Sequence, residues 1–172
     1  MVLMEYLGHG YDDDHEIETD LYLVRLPNLA GWEVLRSDPL WRRVVEESAD
    51  GAALFIAGDW SGLTNEINEF AAYLLGHGVF WVSTWGPNCE EAHDLFEWAE
   101  LEAPIPEHGV VMTIWHPDSP IDEGMDLLFW AFADGAMVFG PARIAVSFGE
   151  PDWSDAVRRI LQLEIARAGT IR

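Results

Sequence analysis

From residue 52 onward, short apolar runs alternate with stretches whose hydrophobic residues recur every three or four positions. The runs are AALFIAG, VFWVSTW, VVMTIWH and ARIAVSF. Each is apolar at successive positions, as a strand covered on both faces must be. The stripes between them are Ile67, Phe70, Ala71 and Leu74; Ala92, Leu95, Phe96 and Ala99; and Ile121, Met125, Leu128 and Phe132. A last stripe joins Trp153, Ala156, Val157, Ile160 and Leu163. Each helix so predicted has one apolar face to lay on a sheet. Strand, helix, strand in succession predicts right-handed crossovers and a mainly parallel sheet of about five strands. The expected fold is therefore α/β, a three-layer sandwich with helices on both faces.

Helix-start chemistry fixes the direction of the turns. Asn88 with Glu91 three positions later makes a capping-box pattern, in which side chains satisfy otherwise free backbone N–H groups. Ser119-Pro120 with Asp122, and Asp152, do the same for the next two helices. These signals place the strand-to-helix turns at one sheet edge, where open α/β sheets bind ligands.

The first fifty residues are less regular. Residues 11–20, YDDDHEIETD, read as a solvated loop, because clustered like charges resist burial. LYLVRL reads as a strand stopped by Pro27, and SDPLWRRVVEESADG as a helix capped by Asp38, with Pro39 at its first position, ending before Gly51. The chain is expected to be a single domain over residues 1–172, with 1–50 elaborating a regular core at 52–168.

Composition narrows the functional classes. The chain has 172 residues, 49% of them hydrophobic and nine of them Trp, so disorder does not describe it. No apolar run approaches the roughly 20 residues of a membrane span, and the start lacks a basic leader, which predicts a cytoplasmic protein without membrane contact. One cysteine allows no internal disulfide, in keeping with a reducing compartment. Nine Arg, no Lys and 31 acids give a net charge of −22, and residues 44–142 hold 18 acids and no Arg or Lys. Such a field repels nucleic acid and favours a basic partner or a divalent cation. Absence of Lys removes Schiff-base and P-loop chemistry together. GDWSG lacks dinucleotide-loop spacing, and Ser61 lacks the glycines of a nucleophile elbow.

The turns at the favoured edge read AGDWSG, STWGPNCE, IWHPDSP and SFGEPDW, bringing Asp59, Trp60, Trp85, Cys89, His116, Asp118, Glu150 and Asp152 toward one another. If the second and third runs are neighbouring strands, Cys89 and His116 approach, with Asp118 or Asp59 to orient the imidazole. That is the logic of an activated thiol in a small hydrolase or transferase. Against it, Cys89 borders the buried stripe, Glu90 and Glu91 oppose its ionisation, and free Cys usually packs as an apolar residue. His93 flanks the same stripe and is expected to be partly exposed. His116, Asp118 and Asp59 offer an alternative as nitrogen and oxygen ligands for a divalent metal; no other cofactor is expected. Trp98 and Trp130 fall off their apolar stripes, Trp130 on the side of Glu123 and Asp126, and exposed Trp among acids is an interface pattern. The leading expectation is a non-enzymatic acidic protein that docks a basic protein partner, as immunity or antitoxin proteins do.

WGPNC ahead of an acidic helix, VVMTIWHPDSP, and LLFWAF together resemble a bacterial family of domains of unknown function, numbered 7684. The resemblance covers about residues 52–160 and matches at Trp85, Gly86, Cys89, Thr113, Trp115, His116, Asp118 and Pro120. It implies one compact domain and assigns no activity.

Overall fold

In the computed structural model, which describes residues 3–12, 17–48, 51–102, 112–129 and 142–171, all four apolar runs are strands. They are β3 (Ala52–Ala57), β4 (Val79–Trp85), β5 (Met112–His116) and β6 (Ala142–Phe148). Two more precede them, β1 (Leu3–Asp12) and β2 (Ile17–Leu26). The short helices α1 (Trp32–Leu35) and α2 (Pro39–Trp41) follow, and the long helices are α3 (Thr64–Gly76), α4 (Cys89–Glu102), α5 (Ile121–Phe129) and α6 (Pro151–Ile171). The sheet therefore has six strands where about five were expected, in the order β1-β2-β6-β3-β4-β5, all neighbours parallel except the antiparallel pair β1 and β2.

This order explains the layers. The chain steps outward from β3 to β4 to β5, then returns past β3 to place β6 on its other side. A right-handed crossover puts the helix on one face when the chain moves one way and on the opposite face when it moves back. Accordingly Ile67, Phe70, Leu74, Ala92 and Phe96 of α3 and α4 pack on Leu54, Ile56 and Val82. Met125, Leu128, Val157 and Leu161 of α5 and α6 pack on Leu21, Leu23, Phe55 and Ala57. Phe132 of the third predicted stripe lies outside the described residues, and Leu163 of the last is 55% exposed while Leu161 is buried in its place.

The first fifty residues complete the sheet. Much of the stretch expected as an acidic loop is paired strand: Tyr11 faces Glu18, and Gly10 faces Thr19, across β1 and β2. Arg158 of α6 clamps β1 to the sheet, with Nη1 and Nη2 donating to the two carboxylate oxygens of Glu5 at 3.1 and 2.5 Å. These bonds hold the Glu5 carboxyl below its usual range. Asp38 caps as expected, its Oδ1 accepting from the backbone of Leu40 and Trp41 at 2.8 and 3.3 Å. The α-helix it starts is only one turn, however, and passes into a π-helical turn at Arg42–Glu46.

That turn is held by a buried polar chain. Trp41, with no exposed surface, donates its indole N–H to the Tyr73 hydroxyl at 2.8 Å, and Tyr73 donates onward to Glu46 at 2.7 Å. Burial, then the Glu46 carboxylate, pushes the Tyr73 phenol well above its ordinary range. Among the described residues no helix is long and apolar enough to cross a membrane.

Candidate functional site

The strand order reverses between β3 and β6, the position at which an open parallel sheet leaves a crevice for ligands. Here protein fills it. Gly58 follows β3 so closely under Phe148 that a β-carbon on it would lie 2.0 Å from the ring Cζ. Phe148 meets buried Trp60 edge to face at 5.0 Å. Trp60 donates its backbone N–H to the Pro87 carbonyl at 3.0 Å and its indole N–H to the Trp85 carbonyl at 3.1 Å. Gly86, at φ +107°, passes so near the Gly58 carbonyl that a β-carbon would sit 2.2 Å from its oxygen, so only glycine fits.

On the rim above, Asp59 Oδ1 accepts from the Ser61 backbone N–H and hydroxyl at 3.0 and 2.6 Å, which lowers the Asp59 carboxyl below its usual range. The predicted capping box is spent on the same rim. Asn88, at φ 59°, donates its amide to the Ser61 hydroxyl at 2.6 Å, and Glu91 accepts from the Thr64 hydroxyl at 3.1 Å. Asn88 thus ties two neighbouring turns together, and Glu91 ties α4 to the first residue of α3.

Strands β4 and β5 are neighbours, as the Cys89–His116 pairing required. The sheet nevertheless separates the two reactive groups. Cys89 is fully buried among the residues under α3 and α4. Burial pushes its thiol up, and hydrogen bonding to the backbone amides of His116 and Cys89 only partly offsets that. The His116 ring lies on the other face, against Gly124 of α5 and beside Trp85, which belongs to the opposite core. Burial lowers the imidazole, Glu123 pulling weakly the other way, and its buried Nε2 has no hydrogen-bond partner. Cys89 thus meets the backbone of His116 and not its ring, a correction that follows from the alternation of side chains along β5.

The expected metal ligands are also apart. Asp59 and Asp118 are exposed on separate turns. Among the described residues, the cluster of three such groups with ligand atoms all within 4.8 Å of one another is instead His93, Asp94 and Glu97. His93, expected to be partly exposed, has 7% of its side chain accessible. Its ring centroid lies 4.3 Å from that of Trp115. Its flanking position was legible in the sequence; the strand that covers it was not.

The anticipated interface divides in the same way. Trp98 is 66% exposed on α4, whereas Glu123 and Asp126 are exposed on α5, across the sheet. Trp130 lies outside the described residues. Trp98 instead shares α4 with Leu101, 78% exposed, and with the exposed acids Glu90, Glu91, Asp94, Glu97 and Glu102. Beside α4, the outermost strand of the described sheet, β5, exposes Met112 and Trp115 at 41% and 42%. The apolar run VVMTIWH was read as a strand covered on both faces; among the described strands it is an edge, and the exposure of Trp115 marks it.

The model of the domain of unknown function DUF7684 matches residues 38–163, which takes in α2 through most of α6 and leaves the β1–β2 hairpin outside. No curated protein and no solved structure matches the chain.

Proposed function

We propose, from the premise that this chain belongs to the DUF7684 family, that it is a binding protein whose partner is a basic protein surface. The observation that carries this reading is the outer surface of α4 and β5. Trp98, Leu101 and Trp115 stand exposed among five acids of one helix. No Arg or Lys occurs between residues 44 and 142 to neutralise them. Exposed Trp beside desolvatable charge is the composition of a binding hot spot, and Arg pairs well with both the ring face and the carboxylates. Edge strands ordinarily carry charge or proline against unwanted pairing, so an apolar edge is a place for a partner. An overall charge of −22 would steer a cationic surface inward and make association fast at low salt. An immunity or antitoxin role has this physical form. A Cys89–His116 mechanism draws no support from a buried sulfur on the far side of the sheet from the imidazole.

The test is capture of soluble cell proteins at about 50 mM salt on the immobilised chain and on Trp98→Ala and Leu101→Ser variants, followed by affinity measurement on each purified candidate. The expected result is a basic protein whose affinity falls steeply by about 300 mM salt and drops by about thirtyfold or more with Trp98→Ala, the weight of a hot-spot residue. Complexes indifferent to both salt and the two substitutions, or no complex at all, would overturn the reading.

A further inference from the structure

We infer that His93, Asp94 and Glu97 form a binding site for one divalent transition-metal ion of the zinc class. The inference is independent of the partner reading, since it rests on ligand geometry and would survive a chain that binds no protein.

The ligand set follows from helix periodicity. His93 and Glu97 are four residues apart and so share one face of α4, the spacing by which a helix presents two metal ligands together; Asp94 adds an oxygen from the adjacent position. Asp94 Oδ1 lies 3.3 Å from His93 Nδ1, and Glu97 Oε1 lies 3.4 Å from Nε2. One ion takes one ring nitrogen, with ligands at about 2.0–2.2 Å from it and roughly 3.4 Å from one another, so one carboxylate already stands at the spacing of a co-ligand and the other, now at the far nitrogen, turns to reach the ion. One atom from each of the three residues already lies within 4.8 Å of the others. Closing the remaining distance falls to Asp94 and Glu97, whose side chains are 65% and 58% exposed and free to turn.

Two further observations separate this group from an ordinary acidic helix face. The first is the imidazole. More than nine-tenths of it is buried, packing against Trp115 fixes its orientation, and its polar contacts among the described residues are the two carboxylates of the group. A buried ring that meets no backbone carbonyl or amide among the described residues has one nitrogen to offer an ion shared with those carboxylates. The second is the missing counter-charge. Among the described residues neither Asp94 nor Glu97 has an Arg partner, in a stretch of chain without Arg or Lys. An external cation can supply that positive charge. One nitrogen and two carboxylate oxygens suit zinc, nickel or copper over magnesium or calcium, for which imidazole is a poor ligand. Three protein ligands on one helical turn leave coordination positions open to water.

The test is calorimetric titration of Zn2+ into the metal-free chain with millimolar Mg2+ present to saturate the diffuse acidic surface. Quenching of Trp115 by Cu2+ provides a second readout, referenced to Trp115→Phe. One saturable zinc per chain is expected, with quenching that Trp115→Phe removes. Glu97→Gln should weaken zinc by about tenfold or more, and His93→Gln should abolish the site. If His93→Gln does not fold, the double variant Asp94→Asn/Glu97→Gln, altered only at exposed side chains, decides. Zinc binding unchanged in that double variant, or no zinc binding above the Mg2+ background, would overturn the proposal.

Discussion

Replacing Gly58 by Ala tests whether the crevice at the strand-order switch is closed. The new methyl carbon would stand 2.0, 2.2 and 2.4 Å from three atoms of the Phe148 ring, and ordinary contact begins at about 3.4 Å. The ring must therefore retreat by about 1.4 Å, into Trp60, which is itself fully buried and hydrogen-bonded at both nitrogens. Overpacking of a tight core costs about 1–3 kcal/mol, and rigid neighbours put this site at the upper end, about 3 kcal/mol. Phe148→Ala alone removes a nearly buried ring and should cost about 3–5 kcal/mol. If the effects were independent, the pair would lose about 6 kcal/mol or more, enough to unfold many domains whose whole stability is about 5–15 kcal/mol. They are not independent in this geometry. The Gly58 methyl occupies space that the ring vacates, so the double variant should be no less stable than Phe148→Ala. The coupling is then about 3 kcal/mol in its favour. Urea unfolding of the four proteins measures it. Additivity within about 0.5 kcal/mol would mean that Phe148 does not roof Gly58, and the crevice would return as a ligand site.

Three other outcomes follow from buried groups. Cys89, with no exposed surface and a thiol pushed up by burial, should react with iodoacetamide at least about a thousandfold more slowly in the native chain than in urea; native labelling at the unfolded rate would refute its placement. His116 has its pKa depressed by burial, so above about pH 6.5 it is neutral in both states, while below that the unfolded chain takes up the proton first. Stability should therefore fall as pH drops from about 6.5 toward 5, and His116→Gln should flatten that slope in unfolding curves; an unchanged slope would sink the argument. Tyr73→Phe leaves the buried Trp41 N–H without its acceptor and should cost about 1–3 kcal/mol, or about 2–4 °C of melting temperature per kcal/mol, whereas a change below about 0.3 kcal/mol would show that the Trp41–Tyr73–Glu46 chain contributes nothing.

The βα units were legible because each carried two agreeing signals, an apolar run and a helical stripe, so β3 through β6 and the long helices emerged from local pattern. β1 did not, since it is an edge strand with few buried residues. Its alternation also breaks at a register shift between Tyr6 and Gly8, where Gly8 takes φ +146° against Ile165. Strand order is a non-local property, and with it went the environment of β5. As the outermost strand of the described sheet it exposes Trp115 and Met112, and it turns Trp115 toward His93 while His116 faces α5. The turns placed Cys89 and His116 at one edge, and their approach depended on β4 and β5 being neighbours, which the structure supplies. Which face each occupied depended on the parity of a strand, where one residue reverses the answer. The exposure of Trp98 was legible for the opposite reason: its helix stripe alone placed it outside.

The position of β6 has a consequence for how the chain is made. β6 lies between β2 and β3, and its Val146 is in register with Val24, 122 positions earlier, and with Ile56, 90 positions earlier. During synthesis from the N-terminus, β1–β2 and β3–β4–β5 emerge as two separately paired sets of strands, and no strand pairing joins them until residue 148 leaves the ribosome. The keystone arrives last. Closing so long a loop makes folding slow relative to chains of local contacts, and the exposed edges are open to pairing with other nascent copies meanwhile. A chain cut before β6 should accordingly hold two sets of strands that do not pair with each other, with aggregation rather than a smaller stable fold as its fate.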